Sequence, residues 1–413
     1  MSLRPKLLAI LDRSPFPSDD GVHYPIAGHL KGLQNDWDID LLLVNRPQAI
    51  QSSKIAIEES GFPFGEVLEA VPPARGRVSR FLGECLGGRP YSHHPVISEQ
   101  RLRALTAGRD SDAIYSAPML VALWAGAVAR VLPRRPLVVL NLNDSVSEKF
   151  RRLFDLAKIS GLPPGARLRF GLRSARAMYM PRLERKMLGF FDLVCVQTPR
   201  DRDALLADCG EAIAPKLVLA PNGIKEDLLK LPYQGANEKR LVHIGGLVHN
   251  RRELLMWFVS KVYLDVRRQL PDVTLHLAGS ISPEDKAYLE SIPGITVHGF
   301  VENLEEVLQT STMSVAPMFM RTGLINKNLD SMAAGVPCSG IKAFNGIAGF
   351  RNGQHGFEVS DAAQWSALLV DVLQKPELLN RVSAAGRELV KESCRWQTTL
   401  SRINDRMQSM IQS

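Results

Sequence analysis

Lys327 and Asp330 lie three residues apart in the run RTGLINKNLDSMAAGVPCSG, Arg321–Gly340. Residues at that spacing share one face of a helix, so a cation and a carboxylate would project together. Ahead of them Gly323 supplies a turn, and behind them VPCSG reads as an apolar strand. A glycine turn opening a helix offers backbone N–H groups and the positive end of the helix dipole, which suits a phosphate. The cation would meet a diphosphate and the carboxylate would accept from ribose hydroxyls. The same residues also suit an ordinary strand–loop–helix–strand unit with a solvated Lys–Asp pair.

Other chemistry-bearing residues are fewer. Asp36, Asp38 and Asp40 form overlapping D-x-D patterns that could hold a metal. Their alternation with Trp37 and Ile39 reads better as the solvated side of a strand. Asp110 and Asp112 lead into another strand, and Asp201 and Asp203 fit the start of a helix. No metal site is expected. His93 and His94 read as loop surface, whereas His23, just after the loop at Gly21, is better placed to face a substrate. The five cysteines, Cys85, Cys195, Cys209, Cys338 and Cys394, form no C-x-x-C pair, which fits reduced thiols in a cytoplasmic protein.

The elements that must carry these residues alternate. Strand-like runs are expected at Lys6–Leu11, Ile39–Val44, Ala113–Tyr115, Leu137–Leu140, Leu193–Val196 and Leu217–Ala220, with helical patterns between them. Thr198-Pro199-Arg200-Asp201 is a helix start, with a capping hydroxyl, proline in the first turn and a carboxylate at the positive end. After the polar stretch Leu231–Arg240 the rhythm begins again with LVHI, the Gly245-Gly246 loop, a helix over 251–270, VTLHLAG, ITVHGF and MSVAPM. Such alternation predicts parallel sheets covered on both faces. The expected division is an N-terminal Rossmann-like domain over 1–229, a linker over 230–239, a second Rossmann-like domain over 240–385 and a C-terminal helix over 386–413 that packs back on the first. Ligands of such sheets sit beyond the carboxyl ends of the strands, so a central cleft between the domains is the expected address.

Composition agrees with a globular protein: 45% hydrophobic and 23% charged residues suffice for sizeable cores. The formal net charge of +8 points to an acidic partner. Cations crowd one region, 149–186, against Asp155 and Glu184. That region reads either as a solvated helical face or as a dock for an anionic membrane, where each cation adds about 1 kcal/mol. No nucleic-acid motif accompanies the charge, so nucleic acid is not an expected partner. The longest uncharged stretch, Ala113–Ala129, contains Pro118 and reads as a strand and a buried helix rather than a membrane span.

The run Gly323–Pro337, together with APNG at Ala220–Gly223, HIGGL at His243–Leu247, LHLAG at Leu275–Gly279 and VHGFVENL at Val297–Leu304, resembles family 4 (group 1) glycosyltransferases of the GT-B fold. PFPSDDG at Pro15–Gly21, RPYSHH at Arg89–His94 and Pro181–Thr198 resemble the family more loosely. The resemblance implies two Rossmann-like domains, a UDP- or GDP-sugar as substrate, no cofactor, and transfer with retention to a glycan, lipid-linked or small-molecule acceptor. It places the donor against Gly246, Arg251, Arg252, Phe300, Val301, Gly323, Leu324, Ile325, Lys327 and Asp330. Asp330 and Lys327 are the expected catalytic residues, with His23 beside them, and Gly21 and His23 lie on the acceptor side. The expected location is the cytoplasm, peripheral at the inner face of the membrane.

Four positions depart from the family pattern. Asp330 stands for the second of two glutamates, and Thr322 occupies the position of the first. Gly246 sits where many relatives place an arginine, a charge Arg251 or Arg252 would supply, and Ser116 falls where a histidine is usual. A non-catalytic nucleotide-sugar-binding protein, or an epimerase on the same fold, is the alternative reading.

Overall fold

The computed structural model describes residues 4–17, 22–72, 99–247, 250–317, 323–341 and 346–412. Gly21, Thr322, Cys85 and the Arg89–His94 run lie outside the described residues. The chain divides into two compact units. The first comprises Met1–Glu148, Arg176–Gly223 and Trp396–Ser413, and the second Lys149–Ala175 and Ile224–Arg395. This differs from the boundaries expected from sequence, because Lys149–Ala175 packs with the second unit and helix Pro376–Ser393 stays there too.

The first unit is built on a seven-stranded sheet ordered β3-β2-β1-β4-β5-β6-β7. The strands are β1 Lys6–Leu11, β2 Asp38–Val44, β3 Val67–Ala70, β4 Ala113–Ala117, β5 Leu137–Asn143, β6 Leu193–Val196 and β7 Leu217–Leu219. All neighbours run parallel, with Leu7 opposite Ile39 on one side and Ala113 on the other. The central strands read as continuous apolar runs because both of their faces are covered. Leu7, Ala9 and Leu11 share a core with Leu41, Leu43, Tyr115 and Val139, joined by Ile403 and Met407 of the helix Trp396–Ile411. That helix rests on helix His23–Leu33 at two glycines. A Cβ on Gly28 would come within 2.2 Å of the Trp396 ring, and one on Gly32 within 2.3 Å of Leu400.

Partners in this unit account for Asp36, Asp40 and Asp112. Asp36 accepts from Asn404, whose own oxygen takes the Trp37 indole N–H at 2.8 Å. Asp40 accepts from the Glu66 amide at 2.8 Å and lies 3.6 Å from Arg109. Asp112 accepts from the Lys6 amide at 2.8 Å. Thr198 caps helix Pro199–Cys209 through the Asp201 amide at 3.0 Å.

The second unit has a six-stranded parallel sheet ordered β10-β9-β8-β11-β12-β13. Its strands are β8 Arg240–Ile244, β9 Thr274–Ala278, β10 Ile295–Gly299, β11 Met313–Ala316, β12 Cys338–Ile341 and β13 Phe357–Val359. The helix expected over 251–270 spans Asn250–Gln269 with a π-helical stretch at Val259–Tyr263. Among the described residues, no helix is long and apolar enough to cross a membrane.

Candidate functional site

Three strand ends of the second unit meet through glycines. The Gly245 amide donates to the Ala278 carbonyl at 2.8 Å, and the Gly279 amide to the Gly299 carbonyl at 2.6 Å. Gly245, Gly279 and Gly299 all have positive φ, at 152°, 150° and 75°. A Cβ on Gly279 would come within 2.5 Å of the Gly245 backbone. At Gly279 only glycine allows this approach, and at all three positions the positive φ favours it. Phe300, directly after β10, is 76% exposed, and Val301 is half-buried.

The helix carrying the Lys–Asp pair, Asn326–Ala333, follows β11. Gly323 turns the chain with φ 63°, and Ile325 gives the helix no side-chain cap. Leu324 and Ile325 are half-buried. Leu329, Met332 and Ala333 bury the inner face in a cluster with Ile224, Leu308 and Cys338. At the far end Arg387 donates to the Ala334 carbonyl at 2.7 Å and the Leu231 carbonyl at 2.6 Å. A guanidinium on the last carbonyls suits the negative end of the helix and holds its direction.

On this helix Lys327 is exposed and Asp330 is buried, with Nζ 3.5 Å from Oδ2. Burial pushes the Asp330 carboxyl above its ordinary pKa, and the charges of Lys327 and Lys225 partly offset this. The result is a desolvated carboxylate with, among the described residues, one loose side-chain partner and the charges of two lysines acting on it. Such a group can accept hydroxyl donors, and the cations can meet an anion next to it.

Arg252 and Arg251 separate in role. Arg252 holds Asp285 through Nε at 2.9 Å to both carboxylate oxygens and through Nη2 at 2.7 Å. Asp285 sits in the first turn of helix Pro283–Glu290, and the guanidinium keeps its carboxyl below the usual range. Arg252 thus ties its helix to the neighbouring helix Pro283–Glu290. Arg251 is exposed, and its charge adds to the burial that lowers His243 to about 4. The His243 Nδ1–H donates to the Val315 carbonyl at 3.1 Å, so Nε2 is the acceptor of a neutral ring. That nitrogen lies 3.6 Å from where a Gly245 Cβ would be.

His23 lies in the first unit. Its Nε2 is 3.1 Å from Asp12 Oδ1, its Nδ1 is 2.9 Å from Arg13 Nη2, and the ring is 4% exposed. With both nitrogens engaged, it ties the loop after β1 to the start of its helix. Ser116 is fully buried in β4.

Within the second unit, then, the structure gathers Gly323, Leu324, Ile325, Lys327 and Asp330 on one loop and helix. Gly246, Phe300 and Val301 lie on the loops after β8 and β10. Sequence reasoning missed Lys225, His243 and Arg387. Lys225 lies two residues beyond the APNG run and His243 opens HIGGL, so both were within reach of the motifs. Arg387 is masked by its amphipathic helix, which offers no cue that one arginine turns inward.

Residues 238–375 match the Glycosyl transferases group 1 family. No curated protein matches the chain in sequence. Among solved structures, sucrose-phosphate synthase from Thermosynechococcus elongatus superposes with a TM-score of 0.68 at 16% identity, covering 98% of this chain and 99% of that one. Anabaena Alr3699/HepE in complex with UDP and glucose gives 0.62 at 14%, covering 98% and 100%. The pneumococcal O-GlcNAc transferase GtfA in complex with UDP and GlcNAc gives 0.64 at 11%, covering 100% of both. The chain has the GT-B fold of these glycosyltransferases.

Proposed function

We propose that this chain is a glycosyltransferase that moves a sugar from a nucleotide-diphosphate donor to a glycan, lipid-linked or small-molecule acceptor. The observation that carries the reading is the exposed Lys327 ammonium beside the buried Asp330 carboxylate, on the helix that follows the Gly323 turn. Departure of a nucleoside diphosphate builds negative charge on the leaving oxygen, and fixed cations and amides aimed there lower the barrier. Lys327, Arg251 and the amides at the start of helix Asn326–Ala333 would supply that field without a metal, and Asp330 would take the ribose hydroxyls. Retention follows from the family resemblance. UDP bound to HepE and GtfA favours uridine over guanosine as the base. The enzyme would act in the cytoplasm in polysaccharide biosynthesis, and a lipid-linked acceptor would bring it to the inner face of the membrane.

Asp330 and Thr322 in place of two glutamates favour a second reading, a nucleotide-sugar-binding protein without turnover. Thermal-shift measurements with uridine-, guanosine- and thymidine-diphosphate sugars test the shared premise, because a ligand of the folded chain raises its melting point. Product analysis then separates the readings. Transfer or donor hydrolysis supports the enzyme, binding without turnover supports the second reading, and an isomerised sugar nucleotide would make the chain an epimerase. No melting shift with any donor removes both nucleotide-binding readings.

A further inference from the structure

We propose that the outer face of helix Pro164–Ser174 docks on an anionic lipid bilayer. Phe170 of this helix is fully buried, with Ala166 and Ser174 on the same face, so that side is the buried one. At about 100° per residue, Leu168 and Leu172 fall on the opposite side, together with Pro164, Gly165 and Gly171. Leu168 is 64% exposed and Leu172 is 69% exposed. The strip contains no charged residue, yet Arg167 borders it on one side and Arg169 and Arg173 on the other.

Leucines turned to water between arginine rims are the pattern of a helix lying in a membrane interface. There the apolar strip enters the acyl boundary and the guanidinium groups reach lipid phosphates. Charge chooses the occupant. Between Lys149 and Ala175 the one acidic residue is Asp155, so the surface complements anionic lipid. The same excursion carries Phe154, 52% exposed, with the Lys158 ammonium 3.9 Å from its ring centroid. The excursion is anchored. The Trp257 indole donates to the Ser160 carbonyl at 2.9 Å, and Arg169 pairs with Glu253. The docking helix is thus tied to the second unit through Arg169 and the preceding loop. It deepens the proposed function by naming the surface that a membrane-borne acceptor would bring into contact, but it stands on residues apart from the donor site.

The test is co-sedimentation of the full chain with vesicles of equal parts phosphatidylglycerol and phosphatidylcholine, and with phosphatidylcholine alone. Binding to the anionic vesicles, weakened by salt, is expected. The double variant Leu168→Gln/Leu172→Gln should weaken it about tenfold or more, and Arg167→Gln/Arg173→Gln should reduce the salt dependence. Melting curves and donor-induced thermal shifts of both variants should stay unchanged, which separates this surface from the donor site. Failure of the parent chain to bind anionic vesicles overturns the proposal, as does equal binding by the leucine variant. A concentration-dependent dimer that the leucine variant abolishes, with vesicle binding intact, would assign the strip to a second copy and overturn it too.

Discussion

Asp330 in the second unit and Glu184 in the first are both carboxylates that burial pushes above their ordinary pKa, Glu184 to about 7. Their surroundings differ in what is left unused. Glu184 accepts from the Val146 amide at 2.6 Å, the Ser147 amide at 3.1 Å and the Ser147 hydroxyl, at the start of helix Val146–Ala157. It fills the place of a helix cap and is fully buried. Asp330 has Lys327 at 3.5 Å as its hydrogen-bonding partner, on a helix whose first residues have no side-chain cap. A saturated carboxylate holds a fold together. One with few partners beside a cation keeps lone pairs that a hydroxyl donor could use.

The largest effect should fall on Glu184. Glu184→Ala leaves two helix amides without their acceptor and should destabilise the chain by about 3 kcal/mol, measured by urea unfolding at acid pH. The remaining folded protein should bind donor normally. Glu184 also makes stability depend on pH. Between its ordinary 4.5 and about 7 the folded chain keeps a proton that the unfolded chain has lost. This group's contribution is therefore fully present below that window, declines as pH rises by up to about 1.4 kcal/mol per unit, and levels off above it. Glu184→Gln should flatten the slope. An unchanged slope would mean that Glu184 stays ionised throughout and that its amide donors outweigh burial.

Lys327→Ala should leave stability nearly unchanged and weaken donor binding by about 2 kcal/mol, a loss of some thirtyfold, since a charged hydrogen bond contributes about 1.5–3 kcal/mol. Equal donor affinity, read by calorimetry, would remove Lys327 from the site and make the pair as structural as Glu184. The smallest change is expected for Asp330→Asn, about 1 kcal/mol in donor affinity. Its sharper signature is pH dependence. Hydroxyls donate more strongly to an ionised carboxylate than to a neutral one, so donor binding should weaken as pH falls through the raised Asp330 pKa, and the variant should lose that dependence. A parent chain whose donor affinity ignores pH across the acid range would break the contrast.

Much of the fold was legible in the residue order. The strands at Lys6–Leu11 and Leu193–Val196 and the helix His23–Leu33 fall where periodicity placed them, because buried parallel strands are runs of apolar residues and helices follow another period. The short edge strands Val67–Ala70 and Phe357–Val359 escaped notice. Edge strands have less burial to shape their composition, and three or four residues carry no period. At the site, the Lys327–Asp330 spacing was visible because it is local. The Arg252–Asp285 ion pair was not, since its partner lies 33 positions away.

By itself the sequence determined the alternation of strand and helix, the glycines where strand ends close up, and the cation and carboxylate one helical turn apart. These follow from local geometry, which repeats every two or about 3.6 residues. Only the tertiary structure decided which polar groups are already satisfied. Asp12 and Arg13 engage His23, Asp285 engages Arg252, and helix amides engage Glu184, whereas the buried Asp330 has Lys327 as its partner among the described residues. Hydrogen-bond saturation and desolvation depend on neighbours that arrive from other strands and loops, and no spacing along the chain encodes them.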